Sequence, residues 1–362
     1  VSGKPELRAL TSVRGIAAWF VVLYHIRLSV AGLPAAWVAV FAKGYLAVDF
    51  FFLLSGFVIW LSWNEKLRAG GFSAVPGFLR KRIARIWPLH LFVLGGTVAL
   101  ALLLLATGRH DAAKYPFDLL PLHVLLLQNW GFTDRLAWND PSWSISAELG
   151  AYLLFPWLTL AIDWRRVPSW AIVIALVALA LILDAVFARS GQASLGYDIA
   201  RFGLIRCLIE FAAGTAICAL WLRFRDRPAR PAALSAAVAV ILALSWDTVL
   251  PEPLAVPLLF GALLLALALT SGMRRNPLDT LALHYLGEIS YATYLGHFML
   301  FVAFKLVLVD DAHAIHPLLI ALYLALVLGS SIALYHLVER PAQRWINGLD
   351  LRIRKPRPSL TR

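Results

Sequence analysis

Charge is scarce in this sequence: Asp, Glu, Lys and Arg supply 15% of its 362 residues, against about 25% in an average soluble domain. Cysteine is nearly absent, with two residues, Cys207 and Cys218. They stand eleven residues apart in one expected helix, about 16 Å along its axis, which is too far to bridge. There is no HExxH, no cysteine pair and no closely spaced His/carboxylate set, so no metal site is expected. The GxSxG nucleophile elbow and the Walker A loop are also missing, which removes α/β-hydrolase and P-loop chemistry. No internal repeat, heptad seam or low-complexity tract is present.

What fills the chain is apolar sequence: 60% of the residues are hydrophobic and the mean hydropathy is +0.75. Runs of roughly 18 residues or more recur from end to end, each long enough to cross a bilayer core of about 30 Å. The expected fold is all-α, a polytopic membrane protein of about ten transmembrane helices. The expected spans are Thr11–Val30, Gly44–Trp63, Trp87–Thr107, Trp143–Ile162, Trp170–Ala188, Phe202–Trp221, Ala232–Trp246, Leu254–Ser271, Leu286–Leu308 and Pro317–Leu337. The shorter stretch Phe117–Trp130 contains Pro121 and His123 and is expected to be re-entrant or interfacial. The first run carries Arg14 and His25 with no small-residue cleavage site after it, so it is expected to be retained rather than removed as a signal peptide.

The net charge of +12 does not point to nucleic acid. Basic residues gather at Lys4–Arg14, Lys66–Arg85, Arg165–Arg166, Arg223–Arg230, Arg274–Arg275 and the C-terminal tail. With ten spans all these clusters fall on one side, and the positive-inside rule then predicts both termini in the cytoplasm. Residues 1–340 are expected to form the membrane domain and 341–362 a basic cytoplasmic tail. The opposite face receives Gly108–Asp140, the longest connection in the chain.

An ionisable group inside a span costs at least about 2.5–3.5 kcal/mol and so needs a reason. Arg14 and His25 are eleven residues apart, about three helical turns, so they share a face and are separated by about 16 Å along it. Such a face suits a long anionic ligand entering from the basic side. Asp49, in the second span, falls at about the depth of His25. It would either orient the imidazole as a general base or make a purely structural contact between helices. Arg80, Lys81, Arg82 and Arg85 lie at the basic interface, and Arg82 and Arg85 are one turn apart, a spacing able to grip phosphates as well as to fix topology. Asp140 or Ser142 could cap the fourth span, which would place Glu148 a few residues inside the outer boundary. His297 stands about 15 Å inside the ninth span, and Glu339 at the basic end of the tenth.

These segments resemble the acyltransferase-3 family of bacterial membrane proteins, over nearly the whole chain. The sequence "LTSVRGIAAWFVVLYH" resembles the family's Arg-x10-His opening, "GYLAVDFFFLLSGFVI" its second-helix motif, and "FLRKRIARIWP" its Arg-x-Arg block. "PSWSISAELGAYLLFP", "LGEISYATYLGH" and "VERP" resemble its later elements. Leu149 follows Glu148 where a second Glu is usual. The resemblance implies acyl transfer, usually of acetyl from acetyl-CoA, onto an extracytoplasmic glycan or lipid-linked saccharide, in the bacterial inner membrane. The acyl-CoA would be a co-substrate, with no permanently bound cofactor. On this reading His25 and Asp49 are catalytic, and Arg14, Arg80 and Arg82 bind the donor. Ser144, Glu148, His297 and Glu339 are acceptor-side or structural. Direct transfer and an acyl-His intermediate both stand, and a transporter without chemistry is the rival function.

Overall fold

In the computed structural model the described residues are 7–109, 111–273 and 276–349. Lys4, Arg274, Arg275 and residues 350–362 of the expected tail lie outside them. The chain is all-α: α1 Arg8–Ile26, α2 Ala35–Ala42, α3 Ala47–Gly70, α4 Val75–Ala106, α5 Leu120–Val124, α6 Ser142–Ala161 and α7 Ser169–Arg189. It continues with α8 Ile199–Phe224, α9 Ala229–Ser245, α10 Glu252–Thr270, α11 Leu281–Glu288, α12 Ser290–Leu308, α13 Pro317–Leu334 and α14 Arg340–Gly348. No strand occurs among the described residues. Helices are the natural outcome for apolar runs, because lipid offers the backbone no hydrogen-bond partners.

Eight stretches are long and apolar enough to cross a membrane, so the protein is polytopic. The expected second and third spans fall in one of these, Ala35–Ala106, which turns at Gly71 between α3 and α4. Gly71 has φ +53°, a conformation that costs little only without a Cβ. The expected seventh span is the shorter apolar helix Ala229–Ser245. Lys66–Arg85, between the expected second and third spans, is largely helical. At 32 residues α4 is about 48 Å long, well beyond a bilayer core, so Arg80–Arg85 ride on its projecting first turns.

Glycines decide which helices touch. A Cβ on Gly56 of α3 would lie 2.0 Å from the Phe211 carbonyl oxygen of α8, and one on Gly214 of α8 would lie 1.9 Å from the Leu53 carbonyl oxygen. The two backbones therefore cross in direct contact, as small residues allow in membranes. Gly287 and Gly15 bring α11 against α1 in the same way: a Cβ on Gly287 would lie 1.9 Å from the Thr11 carbonyl oxygen. The expected ninth span is broken here into α11 and α12, and the Gly287 carbonyl accepts from Arg14 Nη2 at 2.8 Å and Ser290 Oγ at 2.8 Å.

The Gly108–Asp140 connection folds back onto the bundle, and its short helix α5 does not span. Asn139 Nδ2 donates to the Leu295 carbonyl at 3.0 Å, and Trp130 Nε1 donates to that of Ser146 at 2.9 Å. These bonds hold its last residues over the start of α6.

Candidate functional site

Three cavities lie end to end along α1. A polar one of about 700 Å³ at the basic face is lined by Arg14, Arg80, Lys81, Arg82, Arg85 and Arg340. A narrow one of about 170 Å³ shares Arg14, Arg82 and Arg85 with it and continues past Ser55, Glu148, Tyr291 and Tyr294. The third, of about 260 Å³, shares Val48 and Tyr294 with the second and contains His25, Tyr24, Asp140, Trp143 and Arg206. A separate apolar hollow of about 730 Å³ between α7, α8, α9 and α10 shares no lining residue with these three.

The basic cavity gathers the guanidinium groups expected at a phosphate site. Arg14 is anchored on the Gly287 carbonyl. Arg85 pairs with the buried carboxylate of Glu339, which also accepts from Gln343 Nε2 at 3.3 Å. Glu339 thus sits at the basic face and holds Arg85 in place. Arg80 donates to the Leu349 carbonyl, while Arg82 lines both the cavity and the narrow passage without an ion pair among the described residues.

Glu148 lines the passage. It lies six residues into α6, about 9 Å from its start, and accepts from Ser55 Oγ of α3. Ser144, one turn earlier, marks the junction with the third cavity. Its Oγ is 2.7 Å from Tyr294 Oη, and both hydroxyls reach the Pro141 carbonyl at 3.0 Å.

The partner expected for Asp49 was His25; its partner is Arg206. The two form a forked ion pair, 0% and 1% exposed, and Arg206 Nη1 also donates to the Leu195 carbonyl at 2.9 Å. The cause is the face of α3 on which Asp49 stands. Asp49, Leu53 and Gly56 are spaced four and three residues apart, so they form the stripe that meets α8. Depth alone could not reveal that.

His25 finds another histidine instead. Its Nδ1 lies 2.9 Å from the Val21 carbonyl and 3.2 Å from His297 Nε2. His297 Nδ1 lies 2.8 Å from the Tyr294 carbonyl and 3.1 Å from that of Thr293. A carbonyl only accepts, so both Nδ1 atoms carry hydrogen. His297 Nε2 is then a lone pair facing the His25 N–H, and His25 Nε2 is left as a lone pair in the chamber. That is the tautomer a general base requires.

The fold and the site define a polytopic membrane protein that carries a basic cavity on one face and a paired histidine deep in the bundle. The chain matches the model of the acyltransferase-3 family, described as an acyltransferase domain, over residues 7–336. It belongs to that family and is a membrane acyltransferase. Among curated proteins it is 31% identical to acyltransferase MdmB of Streptomyces mycarofaciens, over 81% of this chain and 79% of that one. It is 29% identical to exopolysaccharide production protein ExoZ of Rhizobium meliloti, over 84% of this chain and 91% of that one. No solved structure is a significant match.

Proposed function

We propose that this protein transfers an acyl group, acetyl in the leading case, from cytoplasmic acyl-CoA to a hydroxyl of an extracytoplasmic glycan or lipid-linked saccharide at the bacterial inner membrane. The observation that carries this reading is the continuity of the three cavities through shared lining residues, from the arginines to His25. The basic cavity suits the nucleotide and phosphates of CoA, with Arg14, Arg80 and Arg82 as donors. The narrow passage suits its thin thiol arm, since Arg14 and His25 are about 16 Å apart along α1. The relative named for exopolysaccharide production favours a glycan acceptor.

In this mechanism His25 Nε2 takes the proton of the acceptor hydroxyl as its oxygen attacks the thioester carbonyl. The C–S bond breaks, and the proton passes from His25 to the departing sulfur. The His25 Nδ1–H, shared between the Val21 carbonyl and His297 Nε2, holds the ring while it is cationic, the role first expected of Asp49.

The test uses surface glycan stripped of its O-acyl groups by mild alkali, which supplies the natural acceptor whatever its identity. Purified His25→Ala protein should bind acetyl-CoA normally and lose transfer by about 10²–10⁴-fold. Retained transfer, or transport of acetyl-CoA without thiol release by the intact protein, would overturn the reading.

A further inference from the structure

We infer that Asp140 grips the acceptor through a second hydroxyl, beside the one that is acylated, so that the acceptor unit is a sugar ring presenting a vicinal diol. The inference rests on the acyltransferase reading above and extends it to the acceptor.

Asp140 or Ser142 was expected to cap α6. The Asp140 backbone carbonyl does accept from Trp143 N at 3.2 Å, but the N-cap position is Pro141 and no side chain caps α6. Among the described residues nothing donates a hydrogen bond to the Asp140 carboxylate and no cation pairs with it. Burial raises its pKa, which the nearby charge of Lys114 opposes. A half-buried carboxylate facing a cavity without a partner is costly unless a ligand supplies the donors.

The same chamber contains His25, whose free Nε2 also only accepts. Two acceptors in a chamber of about 260 Å³ call for a ligand bringing two O–H donors close together. That volume is below the roughly 300–1,000 Å³ of drug-sized sites, so it takes about one ring of a chain rather than a stretch of polymer. Trp143 and Tyr24 also line the chamber, with the Arg206 guanidinium over the first ring and the Arg27 guanidinium over the second. Tyr45, also in the wall, is already committed to Glu252 and Ser194.

The experiment measures transfer to alkali-stripped surface glycan at varied glycan concentration, with acetyl-CoA binding measured on the same preparation. Asp140→Asn should raise the KM for glycan about tenfold or more and leave acetyl-CoA affinity unchanged. Leu136→Trp, which fills the chamber while leaving Asp140 in the sequence, should also weaken acceptor use and spare donor binding. It stands in if the Asn variant fails to fold. In the wild-type product, NMR should place the acyl group on a ring carbon whose neighbour bears a hydroxyl. An unchanged glycan KM in Asp140→Asn, full acceptor use by Leu136→Trp, or acylation at an isolated exocyclic hydroxyl would each overturn the assignment. Absence of any transfer by the intact protein would instead sink the acyltransferase reading on which it stands.

Discussion

His297 meets His25 nitrogen to nitrogen, Nε2 to Nδ1 at 3.2 Å, with no carboxylate between them. A neutral imidazole accepts a hydrogen bond more weakly than a carboxylate, so its loss should slow the reaction without abolishing it. His297→Ala should lower turnover about 3–10-fold at unchanged acetyl-CoA affinity. His297→Gln, whose carbonyl can accept the same N–H, should recover part of that loss. Equal rates for Ala and Gln in a kinetic comparison would reduce His297 to a packing role.

Arg14 should not tolerate lysine. Its guanidinium holds the Gly287 carbonyl and still borders both the basic cavity and the passage, which a single ammonium cannot reproduce. Arg14→Lys should weaken acetyl-CoA binding, read by calorimetry on detergent-purified protein. Wild-type affinity and turnover would remove Arg14 from the donor site.

The Asp49–Arg206 pair should behave as structure. Breaking a buried ion pair by removing one partner costs about 3–5 kcal/mol. Asp49→Asn should therefore lower the thermal midpoint and impair donor binding and transfer together. An Asn variant as stable as the wild type, slow only in turnover, would return Asp49 to the chemistry.

Single cysteines near Arg227 should react only from the cytoplasm, and ones near Asp118 or Asp311 only from outside, following the basic-residue pattern. Reversed labelling would put the donor on the wrong side and end the proposed mechanism.

Much of this arrangement was legible in the sequence. Apolar length gave the spans, and helical spacing put Arg14 and His25 on one face. The interruption of Phe117–Trp130 by Pro121 and His123 matched a segment that does not cross. What stayed hidden was which face meets which neighbour. Asp49 had the right depth to serve His25, but the close approach of Gly56 to Phe211 and of Gly214 to Leu53 turned its stripe toward α8. The cost of intramembrane charge could have singled out Arg206 and Glu210, both fully buried on α8, though not their neighbours. His297 looked solitary because the contact of Gly287 with α1, which brings α12 alongside, joins segments more than 270 residues apart. Glu148 was left between an acceptor-side role and a bond to a neighbouring helix, and the packing of α6 on α3 supplies that bond through Ser55.

The hydroxyl contact of Ser144 and Tyr294, where passage meets chamber, bears on energetics beyond the site. Moving one charge across a potential of 100 mV involves about 2.3 kcal/mol, and a polyphosphate would feel several times that. Under the proposed mechanism the phosphates stay among the arginines, and an acetyl group passing this point is neutral. The membrane voltage then does no work on the transferred group, and turnover in sealed vesicles should be the same whether they are energised or collapsed.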